Sequence, residues 1–273
     1  MAQIAMTELT AAAAALVQAG CWEIADRVLF EARPDDPAET LVRALAEADL
    51  AVERDFAQGT DHSEAKLAAV SQALEQAPST DVAWDLALLQ LRGEYFAALL
   101  TADGSLQLGP DGRDPTASAA LARRAEELRR SAPDDRRAGS VAFYEGLIAD
   151  NLHGRQAEAS AHYTAALELA ERAGDDLLVA LALRHLGDHA HTAGNLVLAR
   201  AQWERSTELR QKAGHVPGVL AQQALLAVLA RDEGDRTAAV ALATEVHRWA
   251  RSLQIGWLEG QTTDLLNDEA PLA

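Results

Sequence analysis

The chain is poor in the residues that most often carry chemistry. One cysteine, Cys21, stands among 273 residues, which excludes an intrachain disulfide framework and a cysteine metal cluster and suits a reducing cytoplasm. Lysine occurs only at Lys66 and Lys212, and 24 basic side chains face 42 acidic ones, for a formal net charge of −18. That balance opposes a phosphate backbone, so nucleic acid is not an expected partner. A basic peptide or protein surface is electrostatically easier, and the negative charge also favours solubility. No apolar stretch approaches the roughly 20 residues that cross a bilayer, so no membrane partner is expected. The apolar run Ala11 to Val17 has no Lys or Arg before it and Glu8 beside it, unlike a signal peptide. There is no Gly-rich phosphate loop, no GxSxG elbow and no histidine near Cys21 in sequence. The chain is therefore more expected to bind than to catalyse.

Aromatics are 4% while apolar residues reach 49%, mostly alanine and leucine. Without strand-like alternation, this predicts helices throughout. The helices are organised by a repeat. Gly154, Gly194 and Gly234 lie 40 residues apart, each followed five residues later by an alanine, Ala159, Ala199 and Ala239. Tyr163, Trp203 and Ala243 come four residues later again; Leu147, Gly187 and Ala227 lie seven before the glycines, and Gly174 and Gly214 close the first two units. A fixed period of this length implies that each hairpin buries its apolar face on its neighbours.

These segments, best seen in Leu186-Gly187, Gly194-Asn195, Ala199 and Trp203, resemble tetratricopeptide (TPR) repeats. The period exceeds the family's usual length of about 34 residues, and the proline that often ends the second helix is missing. The resemblance implies an all-α, right-handed superhelical solenoid of helical hairpins over residues 1–273. Residues 1–133 read as degenerate repeats with a Gly/Pro-rich insertion at 103–115, a loop or flap over the groove. Residues 134–253 read as three regular 40-residue repeats, and 254–273 as a C-terminal capping helix, for about 13 helices in all.

The resemblance also implies a concave groove lined by the first helix of each hairpin. Tyr144, Ile148 and Asn151 are assigned to it in the first copy, with Glu145 beside them. Leu181, Arg184, Asp188 and His191 follow in the second, then Ala224, Val228, Arg231 and Asp232 in the third. A peptide or protein segment held there is the expected ligand, with apolar partner side chains near Tyr144, Ile148, Leu181 and Val228. Some relatives grip a C-terminal carboxylate with lysine and asparagine, but Tyr144 and Ile148 occupy the corresponding places of the first copy.

A second reading centres on Arg184-His185-Leu186-Gly187-Asp188-His189. Histidines four apart share a helix face, as in metalloprotease helices. Glu145, one repeat period before His185, would complete a two-His, one-carboxylate set for a divalent metal such as zinc in an enclosed pocket of an enzyme or sensor. Otherwise no cofactor is expected, and the histidines are ordinary contacts between repeats. Self-association into a homo-oligomer through the end repeats is a third reading.

Overall fold

The computed structural model describes residues 4–100 and 107–268. Among them are thirteen α-helices and no strand ladder: α1 (Met6–Gln18), α2 (Trp22–Glu31), α3 (Pro37–Gln58), α4 (Ser63–Gln76), α5 (Thr80–Leu99), α6 (Pro115–Arg130), α7 (Asp135–Leu147), α8 (Gln156–Ala173), α9 (Asp176–Thr192), α10 (Leu196–Ala213), α11 (Val216–Asp232), α12 (Arg236–Ser252) and α13 (Gly256–Asp268). Each helix packs chiefly on its sequence neighbours, as stacked hairpins must.

Local signals set the boundaries. Asp36, Ser79, Asp134, Asp175, Asn195 and Asp235 each accept a backbone N–H of the first helical turn, the usual work of a capping oxygen. Gly154, Gly194 and Gly234 adopt positive φ of 65°, 76° and 88° between paired helices. Ala159, Ala199 and Ala239 are fully buried, so second helices can lie close to first ones.

In the first two regular hairpins the wedge is an aromatic ring pressed against a glycine. A Cβ on Gly187 would stand 2.5 Å from the Trp203 ring, and one on Gly146 would stand 2.4 Å from Tyr163. Gly146 and Gly187 are one residue further apart than the repeat period. The cause is a π-helical turn, Ile148–Leu152, at the end of α7, where the His153 N–H bonds back to the Ile148 carbonyl at 3.2 Å. Such a turn absorbs one extra residue. Before it, the first repeat is offset from the second by the period plus one, and the capping pair Asp134 and Asp175 keeps that spacing.

The same turn frees the Asn151 carbonyl, which accepts the Gly109 N–H at 2.7 Å. Residues 103–106 of the Gly/Pro-rich insertion lie outside the described residues. The part from 107 to 114 is tied down: the Arg113 guanidinium donates to the carbonyls of Gly109 (2.7 Å), Ala98 and Gln107.

The two ends of the solenoid meet. One apolar cluster joins Ala13 of α1, Trp22, Ala25 and Leu29 of α2 and Leu50 and Ala57 of α3 to Leu220 and Ala224 of α11, Val246 and Ala250 of α12, and Ile255 and Leu258 of α13. Phe56 stacks on Phe96 at 4.3 Å and faces Trp257 at 6.2 Å, and the Gln58 amide donates to the Leu253 carbonyl at 3.4 Å. A Cβ on Gly20 would lie 3.5 Å from Leu253 and 3.6 Å from Pro217. The stacked hairpins thus complete a turn and close on themselves. α13 is more than a cap: Gln254, at φ 57°, stands one repeat period after Gly214, so α13 begins as the first helix of a further unit. Among the described residues no helix is long and apolar enough to cross a membrane.

Candidate functional site: the enclosed inner face

Closure turns the inner helices toward one another, and the polar groups there form linked sets. Arg92 of α5 bonds Asp49 of α3 at 2.7 Å and also pairs with Glu53 of α3. Burial pushes the Glu53 carboxyl above its ordinary value despite Arg92. Tyr144 of α7 lies against Arg92 and edge-on to Tyr95 with centroids 5.7 Å apart; burial pushes its phenol up to about 12, partly offset by Arg92. The Asn151 amide donates to the Tyr95 hydroxyl at 2.6 Å. On α9, Arg184 bonds Asp188 at 3.2 Å and donates to His185 at 3.1 Å. His185 is stacked on Tyr163 at 4.8 Å. Burial, with Arg184 next, holds its pKa well below the ordinary range, so it is neutral at pH 7. Burial likewise raises Asp188.

Of the residues expected in the groove, Tyr144, Asn151, Arg184 and Asp188 belong to this inner network, together with His185, which the repeat register sets at the groove edge. Leu181 is half-buried against the central apolar cluster, and Ile148 is part of it at 1% exposure. His191 pairs with Asp232 at 2.8 Å, and Asp232 with Arg231 at 2.9 Å, linking α9 to α11. Val228 packs with Ala227, Ala243 and Leu265. Ala224, the counterpart of Arg184 one repeat later, is 1% exposed because the N-terminal hairpin and α3 cover it.

Glu145 departs from its expected place. The π-turn makes Tyr144 the counterpart of His185 in place of Glu145, and one residue is about 100° around a helix. Glu145 therefore turns to the neighbouring helices, where its carboxylate bonds Arg129 of α6 at 2.7 Å and His162 of α8 at 3.2 Å. Both ring nitrogens of His189 are occupied: Nε2 donates to Asp150 at 2.8 Å and Nδ1 accepts the Ser160 hydroxyl at 2.6 Å. The set His185, His189, Glu145 is not brought together, and among the described residues no three His, Cys, Asp or Glu side chains are grouped to hold a metal ion.

Three polar residues unassigned by the repeat register complete the inner side. Arg210 at the end of α10 is 4% exposed and Gln222 of α11 is 0% exposed. The Arg210 Nε and both polar atoms of the Gln222 amide have no hydrogen-bond partner among the described residues. Arg210 Nη1 donates to His215 Nδ1 at 3.1 Å. Burial, with Arg184 adding to it, lowers the Arg210 pKa to about 10. Burial, with Arg210 adding to it, lowers His215 to about 4. A guanidinium buried without a carboxylate is expensive. The signal was in the sequence: one repeat to either side of Arg210 stand Ala170 and Ala250.

His215 gives a pH prediction. Its folded pKa lies below the unfolded 6.5, so below pH 6.5 the unfolded chain takes up a proton that the folded chain does not, and stability falls on acidification. Between pH 6.5 and 5 the loss from this group is about 1.5 kcal/mol; the raised Asp188 and Glu53 work in the opposite sense. Urea unfolding at a series of pH values is expected to show a shallower fall for His215→Gln than for the native chain.

With this geometry in place, comparison with solved structures finds a signal transduction ATPase with numerous domains (STAND) protein with a tetratricopeptide repeat sensor from Pyrococcus horikoshii. The TM-score is 0.50 at 17% identity, over 96% of this chain and 40% of that one. The likeness is one of fold. It makes the helical solenoid a shared architecture, while this chain spans less than half the length of that relative. BtubC (BKLC) from P. vanneervenii is similar at a TM-score of 0.46 and 16% identity, over 99% of this chain and 96% of that one. No family model and no curated relative matches the chain.

Proposed function

We propose that this solenoid is built of TPR-like hairpins and acts as a recognition module, binding a partner protein through a short peptide segment received on the enclosed inner face. The observation that carries the reading is the mixed-charge strip on that face. Asp49, Glu53, Arg184 and Asp188 keep side-chain exposures of 51, 39, 27 and 30% although helices surround them. Charged groups left reachable by water inside a closed turn can exchange their hydration for a ligand's polar groups, which favours specificity. The half-buried Tyr144 and Leu181 supply apolar contact beside them. Closure limits the ligand to a short extended segment or a chain end, in place of the long helix an open trough would hold. A small-molecule ligand bound on the same face is the second reading, which the buried and unpartnered Arg210 and Gln222 favour. A reducing, cytoplasmic setting goes with either.

The test is selection of short peptides from a random library on the native chain, followed by affinity measurement on variants. Selected peptides are expected to bind with micromolar affinity and to weaken at least about tenfold, or about 1.4 kcal/mol, with Arg184→Glu. Arg205→Glu on the outer surface of α10, where the side chain is 59% exposed, is expected to leave binding unchanged. No selection, or equal binding by both variants, would refute the assignment to the inner face.

A further inference from the structure

The junction of α10 with α11 departs from the chain's own repeat at four places at once. Arg210 stands where the neighbouring units have Ala170 and Ala250, both fully buried. Gly218 stands where they have Leu178 and Leu258, which fill the core. Gln222 replaces Ala182 and Thr262, and His215 replaces Asp175 and Ile255. The exchanges are coupled in space: a Cβ on Gly218 would lie 2.1 Å from Arg210 Nη1 and 2.1 Å from His215 Nδ1. A small residue on the second helix with a leucine on the next first helix has become a long cation over a glycine, and Gln222 is one turn further along that helix.

This is not a self-sufficient polar core. Thr262 at the position of Gln222 satisfies its hydroxyl on the Leu258 carbonyl at 2.8 Å, whereas Gln222 at 0% exposure has neither amide atom bonded. Among the described residues no carboxylate lies within ion-pair distance of Arg210, and Glu53 is the acidic group that acts on it from further away. Arg184 adds a second positive field from the inner face. Because His215 Nδ1 accepts from Arg210, the ring proton sits on Nε2 and the ring is a donor as well. Buried donors and a cation lacking a counter-charge recognise an anion and repel a metal ion. We infer that Arg210, His215 and Gln222 form a binding site for an anionic group, a carboxylate or a phosphate, carried by the ligand that enters the closed turn. This inference rests on the binding reading above and specifies the chemistry of what is bound.

The experiment is thermal unfolding of the full chain at constant ionic strength, with chloride replaced stepwise by phosphate in one arm and by acetate in the other. The native chain is expected to gain several degrees in at least one arm, since a ligand that binds only the folded state raises its melting temperature. A gain in phosphate assigns a phosphorylated group, and a gain in acetate assigns a carboxylate. Arg210→Ala with Gly218→Leu restores the packing of the neighbouring units; it is expected to melt above the native chain in chloride and to show no anion gain. Gln222→Ala, a residue the adjoining unit already uses at this place, is expected to shift the anion midpoint upward by about fivefold, the loss of one hydrogen bond. No gain by the native chain in either arm, or the same gain in the Arg210 variant, would overturn the site. An absent anion gain beside peptides that depend on Arg184 would remove this site alone; an anion gain with no peptide selected would remove the peptide reading alone.

Discussion

Trp203→Ala is expected to lower the unfolding free energy by about 3–5 kcal/mol, the range for truncating a large buried aromatic. Trp203 is 1% exposed, its indole N–H donates to the Arg184 carbonyl at 3.0 Å, and its ring fills the slot that Gly187 opens. Truncation leaves a cavity between α9 and α10 and removes the indole's bond to the helix that carries Arg184, His185 and Asp188. The slot cannot collapse easily, because each helix is also held by the adjoining repeats. Affinity for an inner-face ligand should fall with stability. Urea unfolding by far-UV circular dichroism measures the first effect; a loss under about 1 kcal/mol would mean the wedge does not hold the hairpin.

Ala224→Arg is expected to open the closed turn. It gives the third repeat the side chain that the second carries at Arg184, but Ala224 is 1% exposed within the cluster joining the two ends. An unpaired charge there costs several kcal/mol. The N-terminal hairpin can undock and hydrate it, so the cost is capped by the free energy of closure. The expected result is a larger hydrodynamic radius with helix content retained and a loss of about 2–4 kcal/mol, in the range of severe core substitutions. An unchanged radius would mean that the ends are not held by this contact.

The hairpins were legible because their signals are local: capping oxygens, glycines at helix ends, and the alanine five residues after each glycine. In the first repeat the period alone gives a register one residue away from the true one. Its glycine and alanine follow the π-turn and keep the regular period, whereas Gly146 and Asp134 precede it and stand one residue further from their counterparts. The 40-residue period alone therefore places Glu145 on the inner face and beside His185, whereas Arg129 and His162 hold its carboxylate elsewhere. Closure had no sequence signature, because α1 to α3 meet α11 to α13 from opposite ends of the chain and an apolar face reads alike whatever covers it. Arg210 and Gln222 are legible in the sequence as breaks in a pattern of small residues, with Ala170 and Ala250 at the places of Arg210 and Ala182 at that of Gln222.

The central claim is that the solenoid closes, and it is tested most directly by a distance between its ends. Cys21, the chain's one cysteine, immediately precedes α2 beside Gly20, where an added Cβ would touch Leu253, and Ser252 is exposed at the end of α12. Spin labels on Cys21 and on Ser252→Cys, read by pulsed electron resonance, are expected to give one narrow distribution at short distance, which Ala224→Arg broadens and lengthens. A broad, long distribution in the otherwise native chain would contradict closure, and with it the enclosed inner face on which the binding account depends.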